Sequence, residues 1–338
     1  MRIAQIAPLF ETVPPARYGG TERVVSWLTE ALVEDGHEVT LFASGDSTTS
    51  ARLVPVVPKA ARFVPVFEAN TAPYARMIEL AARASAEFDV LHFHIDFHPF
   101  PVFSRLGAKF VTTLHGRMDQ GWISEIYGLY PKAALVSISA NQRLPQPGLN
   151  WVGTVHHGMP RDLLRPVGQP GDYLAFLGRI SREKGIEAAI NIARRAGLKL
   201  KVAAKVGAED QAYYDTTMKP LLESGAVEFI GEIGDAEKPA FLSGARALLF
   251  PITWPEPFGL VMIEAMACGC PVIATPMGSV PEVIEDGVTG FIVRDEDEAV
   301  AAIARLPMLD RAAIRARFEQ RWSARRMAAD YLAVYRAI

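Results

Sequence analysis

The stretch Trp254-Pro255-Glu256-Pro257-Phe258-Gly259-Leu260-Val261-Met262-Ile263-Glu264-Ala265-Met266-Ala267-Cys268-Gly269-Cys270-Pro271-Val272-Ile273-Ala274 decides how the chain is read. It predicts a proline-framed loop, a buried helix, a tight turn at Gly269 and a short buried strand. One charge, Glu264, interrupts the apolar helix. Leu260, Val261 and Cys268 share its face. A carboxylate there is costly unless a polar partner meets it; a buried Arg or Lys is the structural alternative to a ligand. Glu256 precedes the helix start, where the amides of Phe258, Gly259 and Leu260 are expected to be unpaired, with positive dipole character. Two carboxylates flanking free amides suit a ligand that is anionic at one end and rich in hydroxyls at the other. A nucleotide sugar has that character.

Two glutamates framing Pro257-Phe258-Gly259-Leu260, followed by Glu264-Ala265-Met266-Ala267-Cys268-Gly269, resemble the signature of retaining glycosyltransferases of family 4. The resemblance implies an α/β protein of the GT-B fold: two Rossmann-like, doubly wound parallel-sheet domains facing across a cleft. It implies an acceptor-side domain over residues 1–160, a nucleotide-sugar domain over 161–318, and a closing helix over 319–338 that crosses back to the first domain.

Composition agrees with a globular protein. At 338 residues, half of them hydrophobic and with a net charge of −3, the chain suits two domains with large cores. No basic excess or motif points to nucleic acid. No uninterrupted apolar run is long enough to span a bilayer. The first residues lead straight into a strand, without a signal-peptide pattern. Cys268 and Cys270 are too few for a disulfide framework and read as core residues, consistent with a cytoplasmic protein.

From the start, Arg2 to Pro8 reads as a buried strand. A long connection ends in Gly19-Gly20, and Thr21 is placed to cap a helix that runs to about Asp35. A second strand spans Val39 to Ser44. Strand, glycine loop, helix, strand is the opening of a doubly wound unit. The resemblance implies that Gly19 and Gly20 lie beside the donor diphosphate and the acceptor. Strands are also expected at Val90–His94, Phe110–Leu114, Leu135–Ile138 and Val152–Val155, and His115 closes the second of these. Family resemblance places His115 close to the transferred sugar. Residues 166–171, rich in proline and glycine, read as a linker.

The second half opens with a strand from Tyr173 to Leu177 and then Gly178-Arg179-Ile180-Ser181-Arg182-Glu183-Lys184-Gly185. Arg179 and Lys184 flank a strand-to-helix turn, well placed for a diphosphate, and the resemblance assigns them to it. It further implies that Glu256 meets the sugar hydroxyls and Glu264 the ribose hydroxyls. No cofactor is implied beyond the donor, a UDP-, GDP- or ADP-sugar, and no metal is expected to hold the diphosphate. The implied reaction is hexosyl transfer to an acceptor hydroxyl with retention, the leaving phosphate taking the acceptor's proton.

Two other readings stand beside this one. His92, His94, Asp96 and His98 resemble the His-x-His-x-Asp-His pattern of metal-dependent hydrolases, with the last histidine one residue late. A nucleotide-sugar binder without catalysis is the other. In the tail, Arg311, Arg315, Arg317, Arg321, Arg325 and Arg326 read as a solvated helix face, with peripheral contact to an anionic membrane as a lesser alternative.

Overall fold

The computed structural model describes all residues except Tyr18, 64–70, 223, 224 and 226. The chain divides into two compact units, Met1–Met159 with Ala324–Ile338, and Pro160–Ser323.

The first unit is built on seven parallel strands in the order β3-β2-β1-β4-β5-β6-β7. These are β1 (Arg2–Ile6), β2 (Glu38–Ser44), β3 (Arg52–Val57), β4 (Val90–Phe93), β5 (Phe110–Thr113), β6 (Leu135–Ser137) and β7 (Trp151–Thr154). Side chains alternate across the sheet, and β1 and β4 give its two faces opposite characters. Ala4, Ile6, Leu91 and Phe93 join an apolar core with Phe42, Met77 and Phe103. Gln5 and His92, paired in register, lie on the other face with Thr113 and are fully buried. The helix Ala324–Ala337, which packs against the helix Gly20–Glu34, brings its tyrosine hydroxyls to this polar set. Gly19 caps the helix Gly20–Glu34 and Thr21 makes no capping hydrogen bond. A Cβ at Gly19 would lie 2.8 Å from the Pro15 Cβ, so the loop leaves no room for a side chain.

The second unit has six parallel strands, β10-β9-β8-β11-β12-β13: β8 (Tyr173–Arg179), β9 (Lys199–Lys205), β10 (Val227–Gly231), β11 (Ala245–Phe250), β12 (Val272–Ala274) and β13 (Gly290–Ile292). In both sheets the strand order reverses beside the unit's first strand, between β1 and β4 and between β8 and β11. Crevices for ligands open at the carboxyl ends of such pairs.

Arg317 and Arg325 of the arginine-rich tail are exposed as a solvated face requires, but the other four arginines differ from that expectation. Arg311 donates to the Ser243 and Ala245 carbonyls, both at 2.9 Å. Arg315 donates to Leu164 O and Ala267 O, both at 2.6 Å; the second closes the helix Leu260–Ala267 with positive charge where its dipole is negative. Arg321 pairs with Glu285, and Arg326 donates to the carbonyls of His156 and His157. Trp322 is buried against Phe258, with ring centroids 5.9 Å apart. These arginines tie carbonyls and carboxylates within their own units.

Gly290 tests how tightly the second sheet closes. A Cβ there would lie 2.0 Å from the Val272 carbonyl oxygen on β12. Gly290→Ala is expected to cost the second unit roughly 2–3 kcal/mol through overpacking against backbone that cannot yield, read as a lowered denaturant midpoint.

Candidate active site

In the second unit the strand-end loops of β8 and β11 meet. Gly185 adopts φ 71°, and a Cβ on it would fall 1.9 Å from Pro251 O. Only glycine permits this approach. Glu183 O accepts from Thr253 N at 3.0 Å, tying the turn before Gly185 to the loop after β11. The contact brings Lys184 to the organising stretch: its Nζ bonds the Glu256 carboxylate and lies 4.5 Å from the centre of the Trp254 ring. Glu256 is buried. Its backbone is gripped from behind, since Ser279 N donates to Glu256 O at 2.9 Å and a Cβ at Gly278 would lie 2.3 Å from Glu256 N and O.

Arg179, at the end of β8, is held by three carboxylates: Glu209 at 2.6 Å, Glu183 at 2.8 Å and Asp210 at 3.4 Å. Both cations thus stand at one switch point, each already compensated by acids that an incoming anion would have to displace.

The helix begins at Leu260, later than the expected start at Phe258. Gly259 is its N-cap with φ 77°, and Phe258 turns inward, 2% exposed, against Trp322. The opening amides are therefore those of Leu260 and Val261, since Met262 N donates to Gly259 O. Glu264 is 4% exposed, and its Oε1 accepts from the Lys238 Nζ at 2.6 Å. Lys238, also buried, has Asp235 at 3.1 Å as a second partner. The sequence showed that Glu264 needed a partner. It did not show which, because Lys238 lies on a separate helix, Lys238–Ser243, brought alongside only by packing.

In the first unit the histidines form a hydrogen-bond relay. Gln5 Nε2 donates to the Tyr335 hydroxyl at 3.2 Å, and Gln5 Oε1 lies 2.8 Å from His94 Nε2. This fixes a proton on His94 Nε2, so its Nδ1 accepts from His115 Nε2 at 2.9 Å. In the other direction the Tyr335 hydroxyl donates to His92 Nδ1 at 2.7 Å, and His92 Nε2 donates to Thr113 Oγ1 at 2.7 Å. Thr113 then donates to the Tyr331 hydroxyl at 3.0 Å. The chain of donors runs without conflict when every imidazole is neutral. His115 therefore carries its proton on Nε2 and keeps Nδ1 as an acceptor. The His157 ring stacks on it, centroids 5.3 Å apart.

The metal-hydrolase alternative meets this geometry. His92 and His94 spend both ring nitrogens on protein partners, and His98 Nδ1 bonds Ile95 O at 2.7 Å. Among the described residues no group of three His, Cys, Asp or Glu side chains is placed to hold a metal ion. The chain's one Asp-x-Asp, Asp295-Glu296-Asp297, is used structurally. Asp295 caps the helix Glu296–Arg305 by accepting from Glu298 N, and Asp297 pairs with Arg195. Cys268 and Cys270 are buried free thiols, each pushed up to about 12 by burial.

Two parallel α/β units, each with a crevice at its switch point, are the architecture of the GT-B fold, and the glycosyltransferase class follows from the relatives of each half. Residues 166–322 match the model for glycosyl transferases group 1, and residues 18–140 match the model for glycosyltransferase family 4. The chain belongs to this family, the group 1 glycosyltransferases of family 4. It is 27% identical to a glycogen synthase of Mycobacterium tuberculosis, over 88% of this chain and 84% of that protein. It is 25% identical to a phosphatidyl-myo-inositol mannosyltransferase of Mycobacterium leprae, over 94% and 90%. In fold it is similar to AviGT4, a glycosyltransferase of avilamycin A biosynthesis (TM-score 0.78, 24% identity, 99% and 97% of the two chains). It is likewise similar to HepE of Anabaena, solved with UDP and glucose (TM-score 0.78, 18% identity, 100% of both chains). No helix among the described residues is long and apolar enough to cross a membrane.

The relay makes the first unit acid-sensitive. All seven histidines of the chain lie in it. Burial holds His92, His94 and His157 well below the ordinary value and pushes His115 down to about 3. Unfolded, these rings take protons near pH 6.5, so the unfolded state binds more protons as pH falls from 6.5 towards the folded values. Stability is retained above pH 6.5 and lost below it, by up to about 1.4 kcal/mol per pH unit for each ring. Hydrogen exchange between pH 7 and 5 is expected to show the first unit opening while the second is less affected; equal loss in both would contradict the relay's neutral state.

Lys238→Met leaves Glu264 facing an apolar group and is expected to destabilise by about 3–5 kcal/mol. Adding Glu264→Leu should restore much of this in a chemical-denaturation series.

Proposed function

We propose that this protein transfers a hexosyl group from a nucleoside diphosphate sugar to an acceptor hydroxyl, with retention at the anomeric carbon and without a metal ion on the diphosphate. The observation that carries the reading is Lys184 held against Glu256 where the helix Leu260–Ala267 opens, with Glu264 further along that helix. The diphosphate takes the Leu260 and Val261 amides together with Arg179 and Lys184, which exchange their carboxylate partners for phosphate oxygens. As the bond from C1 to the phosphate oxygen breaks, charge develops on that oxygen, and the two cations offset it. The acceptor oxygen bonds C1 on the same face, and its proton passes to the leaving phosphate. Glu256, once Lys184 moves to the phosphate, turns its carboxylate to the sugar hydroxyls. Glu264 has Oε1 on Lys238 and offers Oε2 to the ribose hydroxyls. In the first unit taken by itself, Gly19 and Gly20 leave the loop before the helix Gly20–Glu34 without a side chain, and His115 keeps an Nδ1 that can accept from a sugar hydroxyl. The donor reading gains support from HepE, a structural relative bound to UDP and glucose.

Titration calorimetry with UDP, GDP and ADP, followed by assay with the matching sugars, tests the assignment. Glu264→Gln should weaken the free diphosphate about tenfold, in line with the loss of a charge-assisted hydrogen bond; Asp235 remains beside Lys238 to limit the structural cost. Glu256→Gln should leave the free diphosphate nearly unchanged while lowering transfer and sugar discrimination. Arg179→Ala should weaken diphosphate binding and slow turnover together. Equal binding losses in the two glutamate variants would show that their roles are wrongly divided.

A further inference from the structure

The loop that leaves β4 carries features that the donor chemistry does not use. Asp96 stands at φ 50°, alone among the described non-glycine residues in having a positive φ. Aspartate tolerates this region better than most residues, yet such outliers persist where the surrounding structure enforces them. The turn around Asp96 is closed by His98 N donating to Ile95 O at 3.3 Å. The Asp96 side chain reaches solvent and makes no hydrogen bond or ion pair among the described residues, yet burial by its surroundings raises its carboxyl above the ordinary value, partly offset by His98 beside it.

Beside this carboxylate runs a row of rings. Tyr74 stacks on His98 with centroids 4.9 Å apart, and His98 stacks on Phe97 at 4.8 Å. Phe97 meets Trp122 edge-on at 5.6 Å. Trp122 is 44% exposed, so a large part of its indole faces solvent. Its orientation is set by Nε1 donating to Gln120 Oε1 at 2.9 Å. Asp96 is close enough to the row to help raise both the Tyr74 and Tyr127 hydroxyls above their ordinary value, after burial as the larger cause.

An open aromatic face beside an unpartnered carboxylate selects its ligand. The carboxylate accepts hydrogen bonds only and repels phosphates and acids. The ring face takes flat, weakly apolar surface. A pyranose presents both: a face of C–H groups and a rim of hydroxyl donors. We propose that Asp96 and the row Trp122, Phe97, His98 and Tyr74 form a pyranose subsite of the first unit, the sugar ring lying on Trp122 and neighbouring hydroxyls donating to Asp96. The subsite leaves the same strand end as His94, which bonds His115. It deepens the transferase reading and rests on it in one respect: if the protein is a transferase, its acceptor is a carbohydrate.

The test is binding of methyl α-glucopyranoside, methyl α-galactopyranoside and methyl α-mannopyranoside to the full chain. Saturation-transfer NMR and tryptophan fluorescence read it, with glycerol as the hydroxyl control. At least one pyranoside is expected to bind in the millimolar range and to perturb tryptophan emission. Trp122→Ala and Asp96→Asn should each weaken that binding at least tenfold. Trp122 is half exposed and asparagine also adopts positive φ readily, so melting curves should stay close to the parent's. Binding of no pyranoside, equal binding of glycerol, or unchanged affinity in both variants overturns the subsite. Titration with UDP, GDP and ADP runs in parallel. Pyranoside binding without any diphosphate binding would remove the transferase reading and leave the subsite standing; the reverse result would remove the subsite alone.

Discussion

The contact on which the second unit's site depends is backbone against backbone. Gly185 and Pro251 come so close that no Cβ fits between them. A parallel pair at a switch point sends its two loops in opposite directions and leaves a crevice. Here the crevice floor is closed by Gly185 on Pro251 and by Glu183 O on Thr253 N. Lys184 and Glu256, 72 positions apart in the chain, are thereby held in an ion pair. A second close approach, Gly278 against the Glu256 backbone, fixes the acid from the other side. The charged groups are positioned by backbone that cannot relax, which keeps their geometry fixed before a ligand arrives.

The same unit shows how a costly residue is kept. Glu264 lies in a helix whose neighbours Met262, Ile263, Ala265 and Met266 are completely buried. Desolvating a carboxylate there is tolerable because Lys238 supplies a charge-assisted hydrogen bond. Replacing the pair by apolar side chains would serve stability at least as well.

The first unit meets the polar-core problem without charge. Seven side chains on β1, β4, β5, the His115 loop and the last helix satisfy one another in a single directed chain, with each imidazole neutral. A network of this kind is stable only when complete. It therefore makes one protonation pattern of His115 part of the fold, at the cost of stability in acid.

Much of this was legible in the sequence. Short apolar runs and glycine placement marked the parallel strands, and the spacing of Glu256, Gly259 and Glu264 marked the loop and helix. Arg179, Lys184 and His115 were legible as polar residues at strand ends beside glycines, and it was the family resemblance that singled them out as candidate site residues. The partners were not legible. Lys238, Gln5, Thr113, Tyr331 and Tyr335 carry no local signal, since each meets its partner through packing of elements distant in the chain. Four arginines of the tail misled for the same reason: periodicity shows which side of a helix is charged, not whether carbonyls wait on that side. The helix start was misplaced by two residues because Gly259 takes a left-handed conformation that sends Phe258 into the core. The sequence by itself determined the class of fold and the ionisable groups at the strand ends, because those depend on local pattern. Which charges pair, which histidine nitrogen holds a proton and which backbones touch were decided only by tertiary structure, because distance and desolvation exist only once the chain is packed.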